Sequence, residues 1–280
     1  LVGSEMCIRD SSSIKYALLN ETGEFIEKGS TIAPHQSIEQ FVEVIGELYD
    51  KYAEQIVGMA ISMPGAIDPQ KGFAYTGGAY KYIKDMEIVK ILQERCPLPI
   101  TIGNDAKCAA NAEVGFGCLK DVDDAAVIIL GTGIGGCIVR DGKVHIGKHF
   151  SSGEFSWMRT NGEDGNNPEC VWAATNGIPG LLKAVQESVG TKEQYNGKEI
   201  FEMANSGDKK VLAGLDKFCN RLAVQIYNLQ ALFDPEKIAI GGGISAQPLL
   251  LELVEKHIEE MYQTGLKAVS YTHLRAHETC

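Results

Sequence analysis

The sequence has few basic residues for its acidic content: 26 Lys and Arg stand against 37 Asp and Glu, a formal net charge of −11. Because nucleic acids and anionic membrane surfaces are bound chiefly through Lys and Arg, this balance argues against both as partners. Long apolar runs are also lacking, since none approaches the roughly 20 residues that cross a bilayer. We therefore expect a cytoplasmic protein that binds neither nucleic acid nor membrane.

The cysteines lack the spacing of metal or redox motifs. The eight cysteines are scattered, and no two are separated by the two or four residues typical of zinc and dithiol sites. Reduced, structural thiols are the simpler interpretation, and they suit the reducing cytoplasm.

The two ends of the chain differ from its body. Residues 1–11 and 269–280 resemble translated sequencing-adapter read-through, and the second of these segments shows neither helical nor strand periodicity. We expect both to be non-native tails, so they are left out of the fold prediction. Between them we predict two α/β domains, residues 12–118 and 119–268.

Apolar periodicity predicts a mixed order of helices and strands in the body. The predicted helices span residues 37–53, 85–95, 106–114, 170–189, 210–232 and 246–264. The predicted strands span residues 14–19, 56–62, 100–102, 125–130 and 237–240.

The clearest motif is the apolar run 125–130, which leads into Gly-Thr-Gly-Ile-Gly-Gly at residues 131–136. The run predicts a buried strand, and the glycines allow the backbone to approach a ligand. They also fit the dinucleotide fingerprint G-x-G-x-x-G, which requires a helix next. β-Rich residues on both sides of Asp141-Gly142 follow instead, and they predict a hairpin with a tight primed turn. The glycine turn therefore joins two strands.

A second glycine cluster, Gly241-Gly242-Gly243, follows another apolar strand. Glycine clusters often mark only a turn, so this one carries little weight alone. Together with the turn at 131–136, it favours a nucleotide held between two backbone loops.

Asn104-Asp105 lie where a short strand ends and an alanine-rich helix begins. The plain interpretation is a helix cap, with Asp105 before Ala106. The functional interpretation is a carboxylate at the end of a strand that accepts the proton of a sugar hydroxyl. The two roles are compatible.

Gly153-Glu154-Phe155-Ser156-Trp157 follows the hairpin. One interpretation is a loop carboxylate beside a packing aromatic residue. The other is a carbohydrate site, in which Glu154 accepts hydrogen bonds from two ring hydroxyls and an aromatic ring lies on the C–H face of the sugar. Gly78, within Thr76–Ala79, could present backbone to the same ligand, whereas Pro64-Gly65 is most simply a rigid turn.

These motifs occur in the order found in ROK-family sugar kinases, and the resemblance spans about residues 12–267. It implies a two-domain actin-like ATPase (ribonuclease H-like) fold with a cleft between the domains, truncated here at both ends. It also implies a homodimer that uses ATP and Mg²⁺ to phosphorylate the 6-hydroxyl of a hexose or β-glucoside, such as glucose, cellobiose or gentiobiose. Residues 12–118 would be the sugar and phosphate domain, and 119–268 the nucleotide-binding and dimerisation domain.

By position, the resemblance assigns Asp105 as the general base. The residues that it assigns to the sugar are Asn104, Gly78, Glu154 and Trp157. Those that it assigns to ATP are Lys15, Gly131, Thr132, Gly133, Gly241, Gly242 and Gly243.

Departures from the family pattern favour its zinc-less branch. Many members have Gly-Glu-x-Gly-His and then three zinc-binding cysteines, but here Trp157 takes the histidine position and Cys170 alone remains in the cysteine region. A zinc site needs three or four ligands, so we expect no structural zinc. A glutamate of the family pattern aligns with Trp172. The β-glucoside kinases fit better, and Trp157 could stack on a second sugar ring.

The start of the chain departs most. The family opens with Asp-Ile-Gly-Gly-Thr before a basic residue that aligns with Lys15, but residues 8–11 here are Ile-Arg-Asp-Ser, and Asp10 is out of register with the aspartate that assists Mg²⁺. Two alternatives to a kinase therefore stay open. One is a sugar-binding protein without catalysis. The other is a sugar-sensing transcriptional regulator of the same family, which the acidic charge and the early start of strand 14–19 disfavour.

Overall fold

The fold is described here from a computed structural model, which covers residues 3–7, 13–191, 193, 195–264 and 273–276. The chain divides into two compact units, Leu1–Ala109 and Ala110–Cys280. Each unit combines helices with strands. Within the described residues, no helix is both long and apolar enough to cross a membrane.

A parallel three-stranded sheet forms the centre of the first unit, in the order β1-β4-β8. Its strands are β1 (Gly3–Cys7), β4 (Gly58–Met63) and β8 (Ile100–Asn104). Helices α1 (Ile38–Tyr52) and α2 (Ile88–Arg95) share one buried apolar core with β4 and β8, to which Ile45, Ile61 and Leu92 contribute. The Ser37 hydroxyl caps α1 by accepting the Gln40 N–H.

Two small antiparallel sheets complete the first unit. One is the hairpin of β2 (Ser13–Leu19) and β3 (Phe25–Ile32), and the other contains β5 (Ile67–Asp68), β6 (Phe73–Thr76) and β7 (Lys84–Met86). The second sheet is absent from the sequence prediction, because strands of two to four residues are too short to show a periodic pattern. The helix predicted from residue 85 begins at Ile88, since residues 84–86 pair with β6.

A five-stranded sheet forms the centre of the second unit, in the order β11-β10-β9-β12-β13. Its strands are β9 (Ala125–Leu130), β10 (Ile134–Arg140), β11 (Lys143–His145), β12 (Lys237–Gly242) and β13 (His273–Ala276). The strand, glycine turn and second strand predicted for 125–140 are confirmed. Asp141 and Gly142 both have positive φ, as the predicted primed turn requires.

Helices cover the sheet of the second unit. They are α3 (Asp105–Phe116), which starts in the first unit, α4 (Trp172–Asn176), α5 (Ile178–Val189), α6 (Gly197–Asn205), α7 (Lys209–Phe233) and α8 (Pro248–Thr264). Alternate residues of β9 pack into two different apolar cores, one on each face of the sheet. Ile128 packs in the core of α5, α7 and α8, whereas Val127 packs on the other face with Leu119. Burial on both faces explains why β9 is apolar throughout.

The sequence prediction was wrong in two helical regions. The helix predicted over 170–189 is two helices that break at Gly177, whose backbone packs against the turn after β9. Helix α6 was missed, although Asn196 and Glu199 form a capping box that the sequence already shows.

Strands β1 and β13 lie in the two segments expected to be non-native tails. Each pairs in parallel with one neighbour at the edge of its sheet, β1 with β4 and β13 with β12. Edge pairing uses backbone hydrogen bonds and needs no particular side-chain pattern, so periodicity did not reveal it. Whether the tails are read-through stays a prediction, and residues 8–11 lie outside the described residues.

Candidate active site

Asn104, at the end of β8, ties three segments of the first unit together. Its side-chain amide donates to the Gly65 carbonyl at 3.0 Å, and its Oδ1 accepts the Lys107 N–H at 3.2 Å. The residue is 8% exposed. Because both ends of the amide have partners, the orientation of this side chain is fixed.

The Gly65 turn lies directly against the loop that contains Gly78. Gly65 has φ +115°, and a Cβ there would overlap the Thr76 carbonyl. A Cβ on Gly78, at φ +59°, would lie 2.7 Å from Pro64 Cβ. Only glycine permits backbones to approach this closely in these conformations. The structure therefore brings together Pro64-Gly65, the Gly78 loop and Asn104, which the sequence showed as three separate motifs.

Asp105 is the first residue of α3, and it is half-buried. Its Oδ1 accepts the Ala106 N–H at 2.8 Å. The cap predicted at Asn104-Asp105 is present, and Asn104 forms it by accepting the N–H of the residue three positions on. Asp105 places a carboxylate in the first turn, where the helix dipole favours a negative charge.

A buried aromatic cluster supports the Gly78 loop. Tyr80 is 1% exposed, stacks on His35 with ring centroids 5.8 Å apart, and meets the Phe41 ring edge-on. Burial raises the pKa of Tyr80 to about 12, so its phenol is neutral at physiological pH. Tyr82 extends the cluster by donating to the Pro34 carbonyl at 2.6 Å.

In the second unit, the parallel pairing of β9 with β12 places both predicted glycine turns at the same end of the sheet, where the carboxyl ends of these strands lie. The strands are parallel, with Gly241 opposite Ile129 and Gly242 opposite Leu130. Gly242 has φ +105°, and a Cβ there would overlap the Leu130 carbonyl. Gly243 is exposed, and a Cβ there would have open space. The carboxyl ends of parallel strands are the usual ligand-binding edge of an α/β sheet.

The turn at residues 131–133 is open on its outer side. Gly131 N–H donates to the Gly133 carbonyl at 3.0 Å, and Thr132 is exposed. The start of α5 packs against the turn, since the Ile178 N–H donates to the Gly131 carbonyl at 2.8 Å. Gly177 was missed at sequence level, although a Cβ there would lie 2.6 Å from the Thr132 carbonyl oxygen. Its signal was the Gly-Ile-Pro-Gly run at 177–180.

Glu154 precedes a single 3₁₀ turn, Phe155–Trp157, that is anchored on β10. Ser156 donates its hydroxyl to the Ile134 carbonyl, and Phe155 packs on Trp172 with ring centroids 5.8 Å apart. Glu154 is half-buried, whereas Trp157 is 73% exposed. The turn therefore presents both predicted sugar residues from a rigid base.

Trp172, which aligns with a family glutamate, is fully buried in the core beneath this turn. Among the described residues, no three His, Cys, Asp or Glu side chains form a group that could hold a metal ion. The absence of structural zinc stays a prediction.

Lys15 is exposed on β2, where it lies opposite Ser30 of β3. Its expected contact with ATP stays a prediction, since the phosphate loop that would precede it falls in residues 8–11.

The sequence profile of the ROK family matches residues 11–279. The chain belongs to the ROK family. It is 32% identical over 221 residues to a beta-glucoside kinase of Listeria monocytogenes, and the alignment covers 78% of this chain and 75% of that protein. It is 33% identical over 203 residues to a beta-glucoside kinase of Klebsiella pneumoniae, with 72% and 68% covered.

Solved structures of ROK proteins share this fold. A ROK family protein from Streptococcus pneumoniae, crystallised with sucrose, aligns at a TM-score of 0.85 and 26% identity, over 99% of this ROK chain and 92% of that one. The likeness to ROK sugar kinases assigns the chain the actin-like ATPase fold. Together with the named kinases, it indicates an ATP-dependent carbohydrate kinase.

Proposed function

We propose that this ROK chain transfers the γ-phosphate of ATP to the 6-hydroxyl of a hexose or β-glucoside, with Asp105 as the general base. The observation that carries the proposal is the pairing of β9 with β12, which puts two glycine turns side by side. Backbone amides in such turns bind phosphate oxygens without competition from side chains. Thr132 adds an exposed hydroxyl to the same surface.

The first unit supplies the acid–base chemistry in this proposal. Asn104 is held rigidly by Gly65 and Lys107, so the adjacent carboxylate of Asp105 has a fixed starting point. A carboxylate within hydrogen-bond reach of the attacking hydroxyl removes its proton as the bond to phosphorus forms. Asn104, Gly78, Glu154 and Trp157 are proposed to position the sugar.

The reaction needs positioning and charge neutralisation more than covalent catalysis. The hydroxyl oxygen attacks the γ-phosphorus, the bond to the β–γ bridging oxygen breaks, and the hydroxyl proton passes to Asp105. In the proposal, the amides of residues 131–133 hold the phosphate oxygens, and Gly241, Gly242 and Gly243 face the adenosine.

Magnesium enters the proposed reaction as part of the Mg·ATP substrate. Mg²⁺ usually keeps several waters and binds through substrate phosphates and one or two carboxylates rather than an all-protein cage. The ion would neutralise charge on the phosphates.

The proposed substrate specificity is that of the zinc-less β-glucoside kinases. Both named beta-glucoside kinases are about one third identical to this chain. Trp157, 73% exposed and three residues after Glu154, offers an aromatic face to a second sugar ring. A homodimer is proposed from the family resemblance, and the lack of nucleic-acid partners is proposed from the net charge of −11.

A catalytically inactive sugar-binding protein is the second candidate. The observation that favours it is the sequence Ile-Arg-Asp-Ser at 8–11, where the resemblance expects a phosphate loop with two glycines. Side chains in that loop would keep backbone amides away from the phosphates.

A coupled ADP-release assay tests both candidates. Mg·ATP is offered with glucose, cellobiose, gentiobiose, fructose and N-acetylmannosamine, and sugar binding is measured separately by calorimetry. We expect turnover that favours the two β-linked disaccharides. Turnover with glucose alone would support the kinase activity and would contradict the β-glucoside specificity inferred from Trp157. Sugar binding without any turnover would favour the inactive protein.

A further inference from the structure

Asn176 is a polar side chain enclosed in the core of the second unit. It ends α4, it is fully buried, and its Nδ2 donates to the Phe218 carbonyl in the middle of α7 at 3.0 Å. Its Oδ1 lies 3.4 Å from the Thr175 hydroxyl. A carbonyl oxygen has two lone pairs, so Phe218 can accept this bond beside the one within its own helix. The amide therefore holds the end of α4 against α7 in one orientation.

The helix that accepts this bond is a firm support. Helix α7 spans 25 residues, and Phe218 packs with Cys219 and Leu222 in the large apolar core of the second unit, where all three are fully buried. A buried amide costs free energy unless its hydrogen bonds are made, whereas an apolar side chain would fill the same space without that cost. The polar residue at position 176 is therefore explained by the direction that its bond imposes, not by burial.

The two residues after Asn176 contact the glycine turn that follows β9. Gly177 has an extended backbone, with φ −69° and ψ 169°, and a Cβ there would lie 2.6 Å from the Thr132 carbonyl oxygen. Ile178 donates its N–H to the Gly131 carbonyl at 2.8 Å. The junction between α4 and α5 therefore contacts α7 through Asn176 and the glycine turn through the next two residues.

The bond to the Gly131 carbonyl decides where the next amide of the turn points. The peptide between Gly131 and Thr132 is trans. In a planar trans peptide, the C=O of one residue and the N–H of the next point in opposite directions. Because the Gly131 carbonyl faces the start of α5, the Thr132 N–H is directed away from α5. Successive backbone N–H groups directed outward from a turn are what binds a phosphate oxygen.

We propose that Asn176 is a positioning residue for phosphate binding. It holds the junction of α4 and α5 against α7, and the junction sets the direction of the Thr132 N–H. The inference rests on the proposed use of this glycine turn for the phosphates of ATP, and it extends that site to a buried residue that touches no ligand. Loss of the Asn176 bond should therefore weaken the binding of phosphates and leave the binding of sugar unchanged.

Calorimetric titration of the whole chain with ATP, inorganic tripolyphosphate and adenosine tests the inference. Asn176→Leu keeps the approximate size of the side chain and removes the donor to Phe218. We expect this variant to bind ATP and tripolyphosphate about tenfold more weakly than wild type, the value of one hydrogen bond to a charged group. Adenosine, which has no phosphate, should bind both proteins equally. In steady-state kinetics, KM for ATP should rise while KM for the sugar stays the same.

Gln230→Leu is the matched control. Gln230 is a buried amide of the same helix, 4% exposed, and its Nε2 donates to Asp234 Oδ1 at 2.6 Å. It lies at the end of α7 that leads to the start of β12, whereas the glycine turns follow the other ends of β9 and β12. Gln230→Leu should lower the denaturation midpoint and leave tripolyphosphate affinity unchanged. Thermal denaturation checks folding, and Asn176→Ala is measured instead if Asn176→Leu does not fold.

Failure of the inference is distinguishable from failure of the kinase proposal. A folded Asn176 variant with wild-type affinity for tripolyphosphate would overturn the inference and leave the kinase standing. An equal loss of affinity in Gln230→Leu would also overturn it, because the effect would then follow stability. Weaker tripolyphosphate binding by the Asn176 variant, without sugar-dependent ADP release by wild type, would support the inference and contradict the kinase. A wild-type chain that bound neither ATP nor tripolyphosphate would overturn both.

Discussion

The candidate sites of the two units are built in opposite ways. In the first unit, the chemistry depends on side chains: Asp105 supplies a carboxylate, and Asn104 is fixed by hydrogen bonds to Gly65 and Lys107. In the second unit, residues 131–133 and 241–243 offer mainly backbone, and the paired strands β9 and β12 position it. The comparison predicts that replacing Asp105 in the first unit will remove function without loss of stability, whereas in the second unit added side chains will do the damage.

The largest expected effect concerns Asp105, the side chain that carries the proposed chemistry of the first unit. Asp105→Asn keeps the shape of the residue and an oxygen for the Ala106 N–H, but removes the base. We expect kcat to fall by about 10²–10⁴-fold, while KM for the sugar and the denaturation midpoint change little. Steady-state kinetics and calorimetric sugar titration measure this.

A matched exposed acid in the same unit, Asp85, provides the control for Asp105. Asp85→Asn should leave kcat unchanged. If Asp105→Asn turned over at nearly the wild-type rate, Asp105 would not be the base.

Two glycines offer the same stereochemical test in each unit. Gly242 has φ +105° and Gly65 has φ +115°, and a Cβ on either would overlap a carbonyl of the neighbouring segment. We expect Gly242→Ala and Gly65→Ala each to lower the free energy of unfolding by roughly 1–3 kcal/mol. Gly242→Ala should weaken ATP binding, whereas Gly65→Ala should weaken sugar binding.

Gly243→Ala is the control for Gly242→Ala, since a Cβ there has open space. Its free energy of unfolding should stay within about 0.5 kcal/mol of wild type. Equal denaturation midpoints for the alanine variants at 242 and 243 would contradict the role assigned to the close approach of β9 and β12.

Asn104 tests how far the sugar site depends on its hydrogen bonds. Asn104→Ala removes the hydrogen bonds to the Gly65 carbonyl and from the Lys107 N–H, so we expect a loss of about 1–3 kcal/mol in the free energy of unfolding and a higher sugar KM. Asn104→Asp keeps the acceptor for the Lys107 N–H, but it replaces the donor to Gly65 with a buried carboxylate oxygen that faces the Gly65 carbonyl. Its loss of stability should therefore be at least as large. Denaturation curves and sugar kinetics measure both variants, and wild-type stability of Asn104→Asp would show that the hydrogen bond to Gly65 contributes nothing.

The smallest expected effect concerns the sugar specificity at Trp157. Because this side chain is 73% exposed, Trp157→Ala should change the free energy of unfolding by less than about 0.5 kcal/mol. We expect KM for cellobiose and gentiobiose to rise about three- to tenfold, the size of one stacking contact, and KM for glucose to change less. An equal rise in KM for glucose would show that Trp157 does not contact the second sugar ring.

Local chemistry made several elements predictable. The Asp141-Gly142 turn was predicted because two positive φ values need such residues, and the structure has both. The capping box of α6 was equally local and was overlooked. The break at Gly177 is different in kind, since it arises where α5 meets the turn at 131–133, a contact that periodicity cannot show. The cap at Asn104-Asp105 was predicted from the residue types, and the structure shows that Asn104 accepts the Lys107 N–H.

The sequence by itself determined where the backbone turns without steric conflict and which side chains could carry charge, because both depend on the residue and its near neighbours. Only the tertiary structure decided which distant segments meet: Gly65 with Gly78 and Asn104, and β9 with β12. It also separated the two tryptophans of the chain, leaving Trp157 exposed and burying Trp172 completely. Burial depends on what the rest of the chain places around a side chain, so two residues of one type received opposite roles.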